Sequence, residues 1–151
     1  MTRSRRHSMP DALDEAVRRL YKVFSTYSQP SYLRPDGATN WESHPGDLIT
    51  KPLRKLSGDE LANYAWRAMT TQGSADDFRY FLPPVLELTA EGLLPVEPWV
   101  ILGKLVYAGW SAWPKEERQA VVAFAWMLAK RAVTACDDDL YRRGADLKSL
   151  L

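Results

Sequence analysis

The chain has 151 residues, 46% hydrophobic and 26% charged, with 20 basic against 19 acidic side chains and a formal net charge of +1. That length suits one domain burying roughly 70% of its unfolded surface, which excludes wholesale disorder. The charge balance argues against a nucleic-acid binder with a broad basic face, and the single cysteine, Cys136, excludes an internal disulfide and fits a reducing, cytoplasmic compartment.

Residues 1–9 carry Arg3, Arg5 and Arg6 without an apolar run. They read as a basic, frayed tail and not as a secretory signal. Residues 10–151 read as a single helical domain. No apolar run is long enough to span a bilayer, so no membrane partner is expected.

The first helix is expected over Pro10–Tyr27. Pro10 suits the first turn, and Asp11, Asp14 and Glu15 favour the positive end of the helix dipole. Leu13, Val17, Leu20, Phe24 and Tyr27 recur at helical spacing and draw one apolar stripe. Ser28–Pro52 is punctuated by Pro30, Pro35, Gly37, Pro45, Gly46 and Pro52, too often for regular structure. It is either a wrap docked through Tyr32, Trp41 and Leu48 or a lid over a partner site.

The second helical stretch, Leu53–Gln72, has a capping box. Ser57 can cap, and Glu60 can reach back to it. Leu61, Tyr64, Ala65, Ala68 and Met69 form its buried face, and Gly73 is the expected left-handed C-cap. Ser74 or Asp76 then caps a third helix. Phe78, Phe81, Leu82, Val85 and Leu86 keep the helical period through Pro83-Pro84, although each proline removes a backbone donor. A kinked helix, or two helices in line, reconciles period and chemistry.

Trp99–Trp110 is apolar nearly all round, interrupted by Lys104, and is expected as a centrally buried helix with a strand as the competing reading. Pro114, Glu116 and Glu117 open a helix over Lys115–Ala135 with Val121, Phe124, Ala125, Leu128, Ala132 and Cys136 inside. Asp137-Asp138-Asp139 is expected to cap a last helix from Leu140 to about Leu150. The sum is an all-α fold of about six helices, an irregular bundle or short HEAT-like stack.

The segment ELANYAWRAMTTQGSADDFRYFLPPVLEL, Glu60–Leu88, resembles part of a bacterial helical family in which an M-T-T-x-G-like turn leads to a D-F-R-x-F-L-P block. The resemblance implies a helical fold and brings no activity with it.

Catalytic signatures are absent: no P-loop, GxSxG or GxGxxG occurs. His7, His44 and Cys136 have no metal-ligand spacing, so neither metal nor cofactor is expected. The aromatic excess, six Trp, seven Tyr and four Phe, points to core filling with a remainder for binding, since Trp, Tyr and Arg dominate interface hot spots. The expected function is a non-enzymatic protein-interaction or accessory domain, its partner another protein. The candidate binding residues are Trp41, Trp66, Asp77, Arg79 and Tyr80, with Arg79 and Tyr80 turned outward. The competing expectations are a hydrolase using Asp76 and Asp77 and, more weakly, nucleic-acid binding through the basic tail and first helix.

Overall fold

The computed structural model describes residues 12–31, 33, 46–70 and 72–149, with 46–47 and 140–149 as helix backbone. Among these the fold is an all-α bundle of six α-helices without a strand. The 1–9 tail, Tyr32, Trp41 and His44 lie outside the described residues.

Helix α1 (Ala12–Val23) runs into a 3-10 turn at Phe24–Thr26. The apolar stripe is buried as its spacing predicts: Leu13, Val17, Leu20 and Phe24 face the core. Helix α1 packs most extensively on the last helix. The proline-punctuated segment holds a short helix that its composition does not announce, α2 (Gly46–Thr50). Its described parts dock on the body through Leu33 and Leu48, both buried. The Gln29 side-chain amide donates to the Ile49 carbonyl between them.

Helix α3 (Gly58–Arg67) opens on the expected capping box. Glu60 N–H donates to Ser57 Oγ at 3.2 Å, and Ser57 N–H donates to Glu60 Oε2 at 2.8 Å. The helix stops at Arg67, short of Gln72. Met69 adopts a left-handed backbone, φ 65°, and the chain closes a tight loop through Met69 N–H to Gln72 O at 2.9 Å. The β-branched Thr70 and Thr71 are poor at prolonging a helix. The Ala68 carbonyl is taken by a lysine from another helix, as described below. Gly73, at φ 73°, therefore serves the loop before the next N-cap and not the end of α3.

Helix α4 (Ala75–Ala90) begins on a second capping box, Ser74 with Asp77, and runs through both prolines as one element. Pro83 and Pro84 leave the Arg79 and Tyr80 carbonyls without their usual helical donors. Both rings are among the most deeply buried groups of the protein, together with Phe78, Phe81, Leu82 and Val85. Burial of this apolar surface, at about 25 cal/mol per Å², offsets the lost backbone hydrogen bonds.

At the centre, Tyr64 lies against Phe81, ring centroids 4.7 Å apart. It is fully buried, yet its hydroxyl has no hydrogen-bond partner. Burial pushes the phenol's pKa well above its ordinary value. An unsatisfied buried hydroxyl is a penalty of about 1–3 kcal/mol. Tyr64→Phe is therefore expected to raise stability by about 1 kcal/mol, seen as a higher urea midpoint at unchanged m. A lower midpoint would mean that the hydroxyl has a partner.

Helix α5 (Pro98–Tyr107) settles the strand-or-helix alternative in favour of helix, with Pro98 in its first turn. Helix α6 (Lys115–Ser149) is one continuous helix of 35 residues, not two. Asp137–Asp139 do not cap a new helix. Capping needs a break into extended backbone, and no proline or glycine stands there to force one. Val121 and Phe124 are buried as expected, whereas Ala125, Ala132 and Cys136 are exposed. Helix α6 is roughly 52 Å long at 1.5 Å per residue. Every residue from 129 to 139 is exposed, and Lys130, Thr134 and Asp138 line a shallow groove with Ala12 and Leu13 at the start of α1.

Candidate interaction surface

The structure separates the five candidate binding residues. Trp41 lies outside the described residues. Asp77 is spent on the N-terminus of α4, where its carboxylate accepts from Ser74 N–H at 2.9 Å. Asp76 points to solvent with its side chain 77% exposed, 3.7 Å from the Arg79 guanidinium. Neither acid lines the grooves of about 1010, 840 and 430 Å³ seen among the described residues. His44 lies outside the described residues.

Arg79 and Tyr80 are not turned outward. Tyr80 is half-buried, edge-on to Phe81 at 4.9 Å, and burial raises its phenol pKa. The Arg79 guanidinium lies 4.6 Å from the Trp113 ring centroid and 5.4 Å from that of Tyr27. It donates to Tyr27 Oη at 2.7 Å. Tyr27 in turn donates to Glu117 Oε1 at 2.6 Å. Glu117 is buried in the first turn of α6, where a carboxylate suits the helix dipole. Its Oε2 sits 3.9 Å from Arg79 Nε, and neither atom has a hydrogen-bond partner. Arg79, Tyr27, Glu117 and Trp113 thus form a polar joint between α4, the end of α1 and the start of α6. Glu117 also lies beside an open groove of about 1010 Å³ between α1 and α6. Its Oε2 is sealed from solvent next to Arg79. Among the described residues no cluster of His, Cys, Asp and Glu could hold a metal ion.

Trp66 belongs to a different face. Its ring meets Trp99 edge-on, centroids 6.5 Å apart and planes at 87°. Trp99 opens the outer side of α5. Leu102 and Val106 follow at spacings of three and four, so the three share one side of the helix. Tyr107 borders them. Trp66, Trp99, Leu102, Val106 and Tyr107 are each at least half exposed, Val106 most of all at 70%. This overturns the expectation that α5 is buried centrally. A helix apolar on all sides offers no pattern that says which side meets water, and here only Val100, Ile101 and Leu105 pack inward.

The charge of α5 is turned inside with them. Lys104 is buried, and its ammonium donates to Ala68 O at 3.0 Å and Thr70 Oγ1 at 3.3 Å. It thereby caps the C-terminal end of α3, where a cation is favoured. Burial lowers its pKa from the ordinary lysine value. The outer side of α5 is left without a charge of its own. The sequence signals this only through Lys104, the one polar residue of the run, which marks a side but not which side.

Among the described residues no helix is long and apolar enough to cross a membrane. No protein-family profile matches the chain, and no curated protein or solved structure matches it.

Proposed function

We propose that the protein is a non-enzymatic interaction domain of the cytoplasm whose partner is another protein, bound on the outer side of α5. The observation that carries this reading is the contiguous aromatic and aliphatic face formed by Trp66, Trp99, Leu102, Val106 and Tyr107. Half-exposed aromatics and aliphatics of this size present on the order of 400 Å² of apolar surface, in the range that marks interaction sites. Because Lys104 is turned inward, the face has no charge of its own with which to select a charged ligand. It suits the apolar side of an amphipathic segment laid across α5, with Trp66 and Trp99 as anchors. Membership of the helical family that Glu60–Leu88 resembles belongs to the same proposal and adds no activity to it.

A photo-crosslinking amino acid placed at position 102 or 106 in the native host tests the reading. A discrete protein adduct is expected from both positions and none from position 22, an exposed site on α1. Trp99→Glu is expected to abolish the adduct. Equal adducts from position 22, adducts to lipid alone, or no adduct at all would contradict it.

A further inference from the structure

The exposed side of α6 carries a second apolar seam. Val122, Trp126, Ala129, Val133 and Cys136 recur at spacings of four, three, four and three, the 3.5-residue period of a coiled-coil seam. All five are exposed, Trp126 at 63%. This period differs from that of the inner face, where Val121 and Phe124 pack on the body. A heptad seam along the exposed side of a helix is the pattern by which two helices cover each other.

We infer that the protein forms a two-fold symmetric dimer in which α6 packs antiparallel on α6 of a second copy, centred between Trp126 and Ala129. Three observations select this occupant and this direction. The first is size complementarity. With Trp126 opposite Ala129 of the other copy, Val122 falls opposite Val133 and Gln119 opposite Cys136, so that large meets small in the central layers. A parallel pair would instead place Trp126 on Trp126. The second is charge. The seam near the body is flanked by a groove of about 840 Å³ whose lining includes Arg19, Lys115 and Arg118 and no acidic residue. The antiparallel register brings the acidic run Asp137–Asp139 of the second copy level with Glu116, Glu117 and Arg118, where Glu117 is buried against Arg79 and Glu116 is the exposed opposing acid. A parallel pair stacks acidic run on acidic run. The third is area. The overlap of residues 119–136 spans roughly 27 Å of helix, enough to bury on the order of 1,000 Å² in total. That is the threshold of a specific interface and implies a reversible, concentration-dependent dimer.

Cys136 is the only cysteine, which makes the register directly readable. In the full chain, Gln119→Cys is expected to give a disulfide-linked dimer under mild copper–phenanthroline oxidation. The unmodified chain is expected to give none, because Cys136 faces Gln119 and not its own copy. Sedimentation of the unmodified chain is expected to show a monomer–dimer equilibrium. Trp126→Glu and Val133→Glu should each shift its midpoint by about tenfold or more, with the Gln119→Cys crosslink lost alongside. Val133 is 61% exposed, so its substitution leaves the body folded even where that of Trp126 does not. Val106→Glu, on the α5 face, should leave the dimer unchanged. A monomer at every concentration, a Cys136–Cys136 link in the unmodified chain, a crosslink indifferent to Val133→Glu, or a dimer lost with Val106→Glu would each overturn the inference. The last of these would redirect the α5 face to self-association, while the others leave the reading of α5 untouched.

Discussion

Gly58→Ala is expected to destabilise the protein by about 3 kcal/mol or more. A Cβ at position 58 would stand 1.8 Å from the Leu93 carbonyl oxygen and 2.8 Å from its carbon. Both are backbone atoms, so no rotamer change relieves the clash. The Leu93 strap is itself pinned. Leu93 and Leu94 N–H both reach Leu88 O, at 2.9 and 3.2 Å, and Leu94 and Val96 are buried beneath it. Either the first turn of α3 or the α4–α5 connection must move. Gly103→Ala is the matched control. It lies in α5 with no atom within 4 Å of a built Cβ, and alanine there should stabilise by about 0.5–1 kcal/mol through helix propensity. Equilibrium unfolding of the two variants should shift in opposite directions. A Gly58→Ala midpoint equal to that of the unmodified protein would mean that the strap does not lie on α3.

The second large effect is expected at the polar joint. Glu117→Ala leaves Arg79, whose side chain is only 19% exposed, held by Tyr27 and by the solvated Asp76. Removing one partner of a buried ion pair destabilises by about 3–5 kcal/mol. The pair here is 3.9 Å apart without a direct hydrogen bond, so the low end, about 3 kcal/mol, is expected. Arg79→Met in the Glu117→Ala background should recover at least about 1 kcal/mol, because the uncompensated cation is what makes the single change severe. Tyr27→Phe alone should cost about 1 kcal/mol. A strictly additive double mutant would show that Arg79 and Glu117 do not interact.

What could be read from the sequence were the stripes with one polar side. The α1 stripe and the inner residues of α3 and α4 were legible because spacing alone separates core from solvent there. The capping box at Ser57 was legible because its chemistry is local, whereas the cap of α4 was narrowed only to Ser74 or Asp76. What escaped depends on distant partners. Gly58 is dictated by a strap thirty-five residues on. Arg79 looked like a surface residue because its partners, Tyr27 and Glu117, come from other helices. The side of α5 that meets water was hidden by an apolar run without periodicity, and α6 was divided in two because an acidic triplet reads equally as a cap or as a single solvated turn of helix. Two of the named candidate binding residues, Arg79 and Asp77, have structural duties. Trp66 alone lies on the face to which binding is now assigned.

Covalent footprinting with a photoactivated carbene, read at Trp66, Trp99 and Tyr107, tests that assignment most directly. The purified protein and the protein in intact native cells would be labelled in parallel, with Lys22, exposed on α1 and outside both surfaces, as an internal reference. Labelling at Trp99 and Tyr107 is expected to be strong in the purified protein and to fall several-fold in cells, while Lys22 is unchanged. Equal labelling of the α5 face in both settings would contradict the claim that a partner covers it.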